Sequence, residues 1–395
     1  MDTDVLDHAA TRWLGVGQSN AESAGEAGAV ATRQAVAGRE AKLLVVFCSD
    51  EYDLEELVGA VNAESHGAPM IGCSTAGEIA TNGPGDAGIV VAALGGDGFS
   101  VSTEFADGAA ADLRGAGARV AGALDRVEER PHRVLMLLTD GLAGDQQEIV
   151  RGAHGVAGAG VPLVGGCAGD GLKMRHTFQL FGDMVLSDAV VGAAIASDAP
   201  LGIGVRHGWR AVGQPMLVTS SAENRVYSLD DIPALDVYLD RLDAPDHVRT
   251  DPADFTRFAL THPLGMDRRK GEEQVRFIGE ANFDDRSLGC IAEVPQGALV
   301  CFMEGDDDSV LAATDAACGD ALRPLDGRPP LGLIAFDCIA RRGVLGEEGV
   351  AREVDQIARG ADGAPVAGFY TYGEIARTHG ISGFHNQTLV VLAVA

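Results

Sequence analysis

Three short stretches set a glycine against a carboxylate where a strand-like run ends: Gly77-Glu78, Gly373-Glu374 and Gly169-Asp170. Glycine lets the backbone pass close to another group, and a carboxylate accepts hydrogen bonds from an ammonium group or from backbone amides. Each pair therefore suits one of two chemistries. One is ligand binding at the carboxyl end of a strand, as in open α/β sheets; the other is the capping of a turn. Residues 368–387 (GFYTYGEIARTHGISGFHNQ) are denser in such groups, with Phe369, Tyr370, Tyr372 and Phe384 around Glu374, His385, Asn386 and Gln387. Aromatic faces with convergent polar groups suit a small-molecule pocket, although Phe369 and Phe384 suit a plain core better. Tyr372 and Glu374 share one turn, and His385 and Asn386 directly precede a strand expected beside it. These four residues are expected to line one cavity that suits a ligand bearing an ammonium group.

Other chemistries are weaker. Cys73 and Ser74 place a thiol and a hydroxyl at a strand end, and His385 could serve one of them as a base. The G-x-S-x-G elbow is missing, however, and no third triad member is visible. No Walker or dinucleotide glycine motif follows a strand, and the ten histidines and seven cysteines do not cluster as metal ligands. A lone His385, His176 or His207 is an axial-ligand candidate for haem. Without a Cys-x-x-Cys-His motif any haem would be bound non-covalently.

The elements that carry these residues repeat. Residues 67–80 (GAPMIGCSTAGEIA) and 363–376 (GAPVAGFYTYGEIA) agree without gaps at nine of fourteen positions. Each follows a strand-like run (44–48, 333–338) and a helix-like stretch (53–66, 349–359), and each precedes an apolar strand (88–94, 388–394). A fainter third copy, residues 160–170 (GVPLVGGCAGD), needs one deletion to bring Gly169-Asp170 opposite Gly77-Glu78. Between the copies, residues 216–229 read as a hairpin and 233–242 as a helix, with strand candidates at 275–277, 288–293 and 299–303. The expectation is an α/β protein of two related halves, each built from repeated strand–helix–strand–turn–strand units with mixed sheets covered by helices. A boundary near 205–215 gives domains 1–210 and 211–395.

The chain has 395 residues and is 46% hydrophobic, enough for substantial cores. Its 30 basic and 58 acidic residues give a formal charge of −28, which disfavours nucleic-acid and anionic-membrane partners. An odd number of cysteines without paired spacing reads as reduced thiols. The start, MDTDVLDHAA, is acidic where a signal peptide needs positive charge, and the apolar runs are strand-sized. A cytoplasmic location is expected.

Residues 71–79 (IGCSTAGEI), 164–170 (VGGCAGD), 336–341 (FDCIAR), 368–375 (GFYTYGEI) and 384–390 (FHNQTLV) resemble, in order and spacing, the FIST family, with a FIST_N part followed by FIST_C. The resemblance implies a prokaryotic sensory domain in signal transduction, non-enzymatic, that binds small ligands such as amino acids or their derivatives. It implies a separate partner: a histidine kinase, a cyclic-di-GMP enzyme or a chemoreceptor. A haem-binding, nitric-oxide-sensing branch of the family gives a second reading, and a cysteine or serine hydrolase a third; no resident cofactor is the first expectation. Carried onto the matched positions, the candidate ligand-binding residues are Cys73, Ser74, Thr75, Gly77, Glu78, Gly166, Asp170, Arg341, Tyr370, Tyr372, Gly373, Glu374, His385, Asn386 and Gln387.

Overall fold

The computed structural model describes residues 11–266, 274–378 and 383–395. Residues 1–10, read above for a leader, lie outside the described residues, as does part of the 368–387 stretch.

The chain builds one unit three times. The first comprises β1 (Trp13–Ser19), α1 (Ala24–Val36), β2 (Ala41–Cys48), α2 (Leu54–Ser65), β3 (Met70–Ser74), the short arm β4 (Glu78–Ala80) and β5 (Gly83–Gly85), and β6 (Ile89–Gly95). The second comprises β7 (Phe99–Asp107), α3 (Leu113–Ala121), β8 (His132–Thr139), α4 (Gln146–Ala157), β9 (Leu163–Cys167), the arm β10 (Gln179–Phe181) and β11 (Met184–Leu186), and β12 (Ala189–Ser197). The third opens with β13 (Leu201–Arg206) and is then interrupted. The insertion holds β14 (Arg210–Ala222), β15 (Arg225–Leu229), β16 (Ile232–Pro233), α5 (Ala234–Arg241), α6 (Pro252–Ala259), β17 (Leu264–Met266), β18 (Gln274–Arg276), β19 (Ile278–Asn282), β20 (Ser287–Cys290) and β21 (Leu299–Glu304). The unit resumes with α7 (Asp307–Leu322), β22 (Gly332–Cys338), α8 (Ile339–Gly360), β23 (Val366–Thr371), the arm β24 (Glu374–Arg377) and β25 (Phe384–His385), and β26 (Leu389–Val394). The repeat expected between residues 41–94 and 332–394 is thus present, and the faint copy at 160–170 belongs to a complete middle unit.

Local chemistry explains the element starts. Ser23, Asp53 and Asp145 cap α1, α2 and α4 by accepting amides of the first turn, and Asp306 and Ser309 form a reciprocal capping box on α7. The central strands are near-continuous runs of apolar residues, as strands covered on both faces require.

Within each unit the order is edge, last, first and second strand, with only the first and second parallel. The arm after each turn then leaves its own unit. Arm β4–β5 extends the third unit's sheet beside β23, β10–β11 extends the first beside β3, and β24–β25 extends the second beside β9. Three six-stranded sheets therefore close a ring of exchanged arms. Their inner faces share one core in which Phe47 stacks on Phe369 at 4.7 Å and Phe336 meets both rings edge-on. The helix pairs cover the outer faces with separate apolar clusters, and the insertion has a core of its own around Tyr238, Phe255 and Phe302.

Close packing of edge strand on helix uses glycine twice in the same way. A Cβ on Gly17 would lie 2.0 Å from the Ala31 carbonyl oxygen of α1, and one on Gly204 would lie 1.9 Å from that of Ala317 in α7.

Candidate functional site

The repeated turns are the same device in the first and third units. In the first, the Thr75 hydroxyl donates to Glu78 Oε1 at 2.6 Å, the Gly77 amide donates to Thr75 Oγ1, and the Gly88 amide donates to Glu78 Oε2 at 3.0 Å. In the third, Thr371 donates to Glu374, Gly373 to Thr371, and the Thr388 amide to Glu374 Oε2 at 3.1 Å. Each carboxylate clamps the turn to the start of its unit's last strand. Gly77 sits at φ 120°, a conformation strained for any side chain, and a Cβ there would also lie 3.0 Å from the Gly85 carbonyl oxygen. Burial, only partly opposed by these hydrogen bonds, pushes Glu78 up to about 7 and Glu374 up to about 8.

The middle turn differs. Asp170 accepts the amides of Met174, Arg175 and His176 and the hydroxyl of Tyr372. Burial alone would raise its pKa, but these bonds, Tyr372 first, hold it below the ordinary carboxylate value. Tyr372 therefore reaches across 202 residues to anchor the 170–176 loop, and its oxygen also receives the Leu172 amide at 2.7 Å. Gly166 lies on β9 opposite Glu374 in the ladder.

Of the four residues expected to line one cavity, Glu374 is engaged with Thr371 and Thr388, Tyr372 with Asp170, and His385 with the Ala376 carbonyl at 3.0 Å. Glu374 and His385 are ladder neighbours. Asn386 is buried, with Oδ1 lacking any hydrogen-bond partner.

Cys73 and Ser74 are fully buried. Burial raises the Cys73 thiol well above its ordinary value, and the Ser74 hydroxyl donates to the Gly169 carbonyl while receiving the Phe178 amide. Neither is prepared as a nucleophile. All seven cysteines are buried thiols. Titration of the denatured, unreduced protein is expected to find seven reactive thiols; two or more missing would reveal a disulfide or a bound group.

Among the histidines weighed as haem ligands, His176 is exposed on the 170–176 loop. His207 and His385 are buried, and each has a ring nitrogen held by backbone, His207 Nδ1 by the Trp209 amide at 2.9 Å. Their placement is that of hydrogen-bonded structural histidines. Among the described residues no group of His, Cys, Asp or Glu could hold a metal ion, and no helix is long and apolar enough to cross a membrane.

The third unit departs from the others at the carboxyl ends of its central strands. In the first unit β2 and β3 bring Cys48 opposite Ser74. At the matching register β22 and β23 bring Asp337 opposite Tyr370. Asp337 begins a fully buried ionic cluster. Arg341, from the first turn of α8, bonds Asp337 Oδ1 at 2.8 Å, Glu353 Oε1, the Thr314 hydroxyl at 2.9 Å and the carbonyls of His207 and Val310. Helix α8 breaks at Gly346 (φ 60°, ψ −178°), so Arg341 also ties its two segments together.

Burial and then the Glu353 charge push the Asp337 carboxyl well above its ordinary range, with Arg341 opposing and a hydrogen bond to Glu353 adding to the rise. Were both carboxyls ionised, Asp337 Oδ2 and Glu353 Oε2 would have no donor. A proton on the Asp337 carboxyl, directed at Glu353, satisfies both oxygens and leaves the cluster neutral with Arg341. Beside them the Tyr370 hydroxyl is fully buried without a partner, while the Arg342 guanidinium lies over its ring at 5.0 Å.

Gln387, one strand away, bonds the Leu260 carbonyl through Nε2 and leaves Oε1 without a partner. Its carbonyl receives the Trp209 indole at 3.0 Å. The beginning of the insertion and the end of α6 thus roof this end of the third sheet. Arg341, Tyr370, Asn386 and Gln387 are among the candidates read from the sequence, whereas Asp337 and Glu353 are not.

The FIST N domain model matches residues 42–232, and the FIST C domain model matches residues 234–377. Two Mycobacterium tuberculosis proteins, each described as an uncharacterized protein (MT0656 and Rv0628c), are 26% identical over 391 residues, spanning 95% of this chain and 97% of their own. A solved structure of PurLQS from Thermotoga maritima aligns with 97% of this chain and 72% of its own at 10% identity. Its TM-score of 0.22 is too low to bear on the fold.

Proposed function

We propose that this chain, which belongs to the FIST family, senses a small cationic ligand at the roofed carboxyl end of its third sheet. FIST domains are sensory domains in signal transduction, and the chain carries both the N and the C part. On this proposal the protein is a cytoplasmic, non-enzymatic sensor whose ligand is an amino acid or a derivative. Its output would pass to a separate histidine kinase, cyclic-di-GMP enzyme or chemoreceptor.

The observation that carries the reading is a set of buried oxygens without a donor at this end of the third sheet: Tyr370 Oη on β23, and Asn386 Oδ1 and Gln387 Oε1 just before β26. Buried polar atoms are nearly always paired. Tyr370 Oη, in electrostatic reach of the acidic pair, together with the unpaired Asn386 and Gln387 acceptors offers bonding positions for a ligand with several N–H donors. The first unit, with Ser74 fully bonded in the position of Tyr370, acts as an internal contrast. The fold does not require an unpaired hydroxyl there.

The test is a thermal-shift and calorimetry screen of the twenty amino acids and simple amines, repeated on Tyr370→Phe. At least one compound is expected to stabilise the protein, with affinity lowered about tenfold in the variant, one charge-assisted bond being worth about 1.5–3 kcal/mol. A screen without any stabilising compound, or a variant that binds its compound equally well, would overturn the reading.

A further inference from the structure

The acidic pair beneath Tyr370 bears on how such a ligand would be held, an argument that rests on the site reading above. Asp337 and Glu353 come from different elements, β22 and the second segment of α8, and both are fully buried. Arg341 takes one oxygen of each and leaves the other oxygen of each without a donor. The Tyr370 hydroxyl, equally buried, has no partner and stands within electrostatic reach of both carboxyls. In the first unit the register position of Asp337 is held by Cys48, so the charge is not a requirement of the fold.

We propose that a ligand ammonium inserts beside Tyr370 and takes the place of the proton shared by Asp337 and Glu353, so that binding releases one proton to solvent. The balance is simple. Before binding, Arg341 offsets one carboxylate and the other carboxyl is protonated. After binding, two cations face two carboxylates and the expelled proton has left. The cluster stays neutral in both states, which avoids burying a net charge.

The groups facing the pair are Arg341 on α8, Tyr370 on β23, Glu374 on β24, Cys338 at the end of β22 and Cys318 on α7, with the uncharged Thr314 also on α7, while Arg342 faces the Tyr370 ring. Below pH 7 the Arg341 guanidinium stays charged and Glu374, pushed up to about 8, keeps its own proton, which leaves the proton between Asp337 and Glu353 as the one that binding exchanges. The site then selects primary ammonium or amidine ligands over anions, and its affinity for them rises with pH until the pair is ionised.

Methylammonium chloride serves as the probe because it carries the recognised group and nothing else. Binding is followed by calorimetry in two buffers of different ionisation enthalpy at one pH, on the full chain and on Glu353→Gln. About one proton per bound methylammonium is expected for the natural chain, and none, with affinity at least tenfold weaker, for the variant. Asp337→Asn replaces it should Glu353→Gln fail to fold. Binding without proton release, or no methylammonium binding by the natural chain, overturns this inference. In that case a hit in the amino-acid screen would leave the broader site reading standing.

Discussion

Arg341→Met is expected to destabilise the protein by about 3–5 kcal/mol, read as a lowered denaturant midpoint at unchanged slope. The side chain is fully buried and supplies donors to two carboxyls, a threonine hydroxyl and two backbone carbonyls. Methionine fills much of the volume but leaves those acceptors unsatisfied. It also frees the two segments of α8 from their common anchor across the break at Gly346. Glu353→Gln should behave quite differently. If one carboxyl of the pair is already neutral, an amide replaces it with little change, and the cost should stay near 1 kcal/mol. Equal, large losses for the two variants would show that both carboxyls are ionised in the native state. A harmless Arg341→Met would show that the cluster does not support the fold.

The second large effect is a loss of stability as pH rises from about 6 to 9. Glu78 and Glu374 have native values pushed up to about 7 and about 8 by burial, against about 4.3 for an unfolded glutamate. The native state then binds more protons than the unfolded state between those limits. Stability from these groups is complete below the unfolded value and is lost progressively as pH climbs from about 4.3 through 7 and 8, the part lost above pH 6 being about 4 kcal/mol for the two together. The informative comparison is with the Glu78→Gln, Glu374→Gln double variant, whose profile should be flatter over the same range. A wild-type profile that is flat or rises with pH would mean that the two carboxyls are ionised without penalty.

The turns were legible because each is written in four consecutive residues. Thr75 to Glu78 and Thr371 to Glu374 share threonine, glycine and glutamate, and every bond of the clamp uses one of those side chains or an amide close by. The middle copy was faint because Asp170 has lost the threonine partner and binds a loop instead. A second repeat could have been read as well. Residues 14–17 (LGVG) and 201–204 (LGIG) mark the two edge strands that press on helix backbone.

The cluster's missing members were hidden by their surroundings. Asp337 ends an apolar strand, where a polar residue usually marks the strand's exit to solvent. Glu353 lies in a helix that also carries exposed Glu347 and Glu348, and only the helix's rotation against α7 and β22 shows which glutamate faces inward. The destination of each arm was equally invisible. Strands of two to four residues carry too little pattern to say which sheet they join.

The arm exchange separates the order of the text from the order of the solid body. The two family domains meet near residue 233, yet no plane through the molecule follows that division. The third sheet begins and ends with strands from the amino-terminal part, β13 on one edge and β4–β5 on the other. The second sheet is completed by β24–β25 from the carboxyl-terminal part. Tyr370 shows the result at atomic scale, since its amide donates to the Gly77 carbonyl and its carbonyl receives the Ala76 amide. The residue beside the proposed ligand is thus stitched to the opposite end of the chain. The two family domains are separate as stretches of gene but not as mechanical parts: neither can be pulled away without unravelling a sheet that belongs to the other.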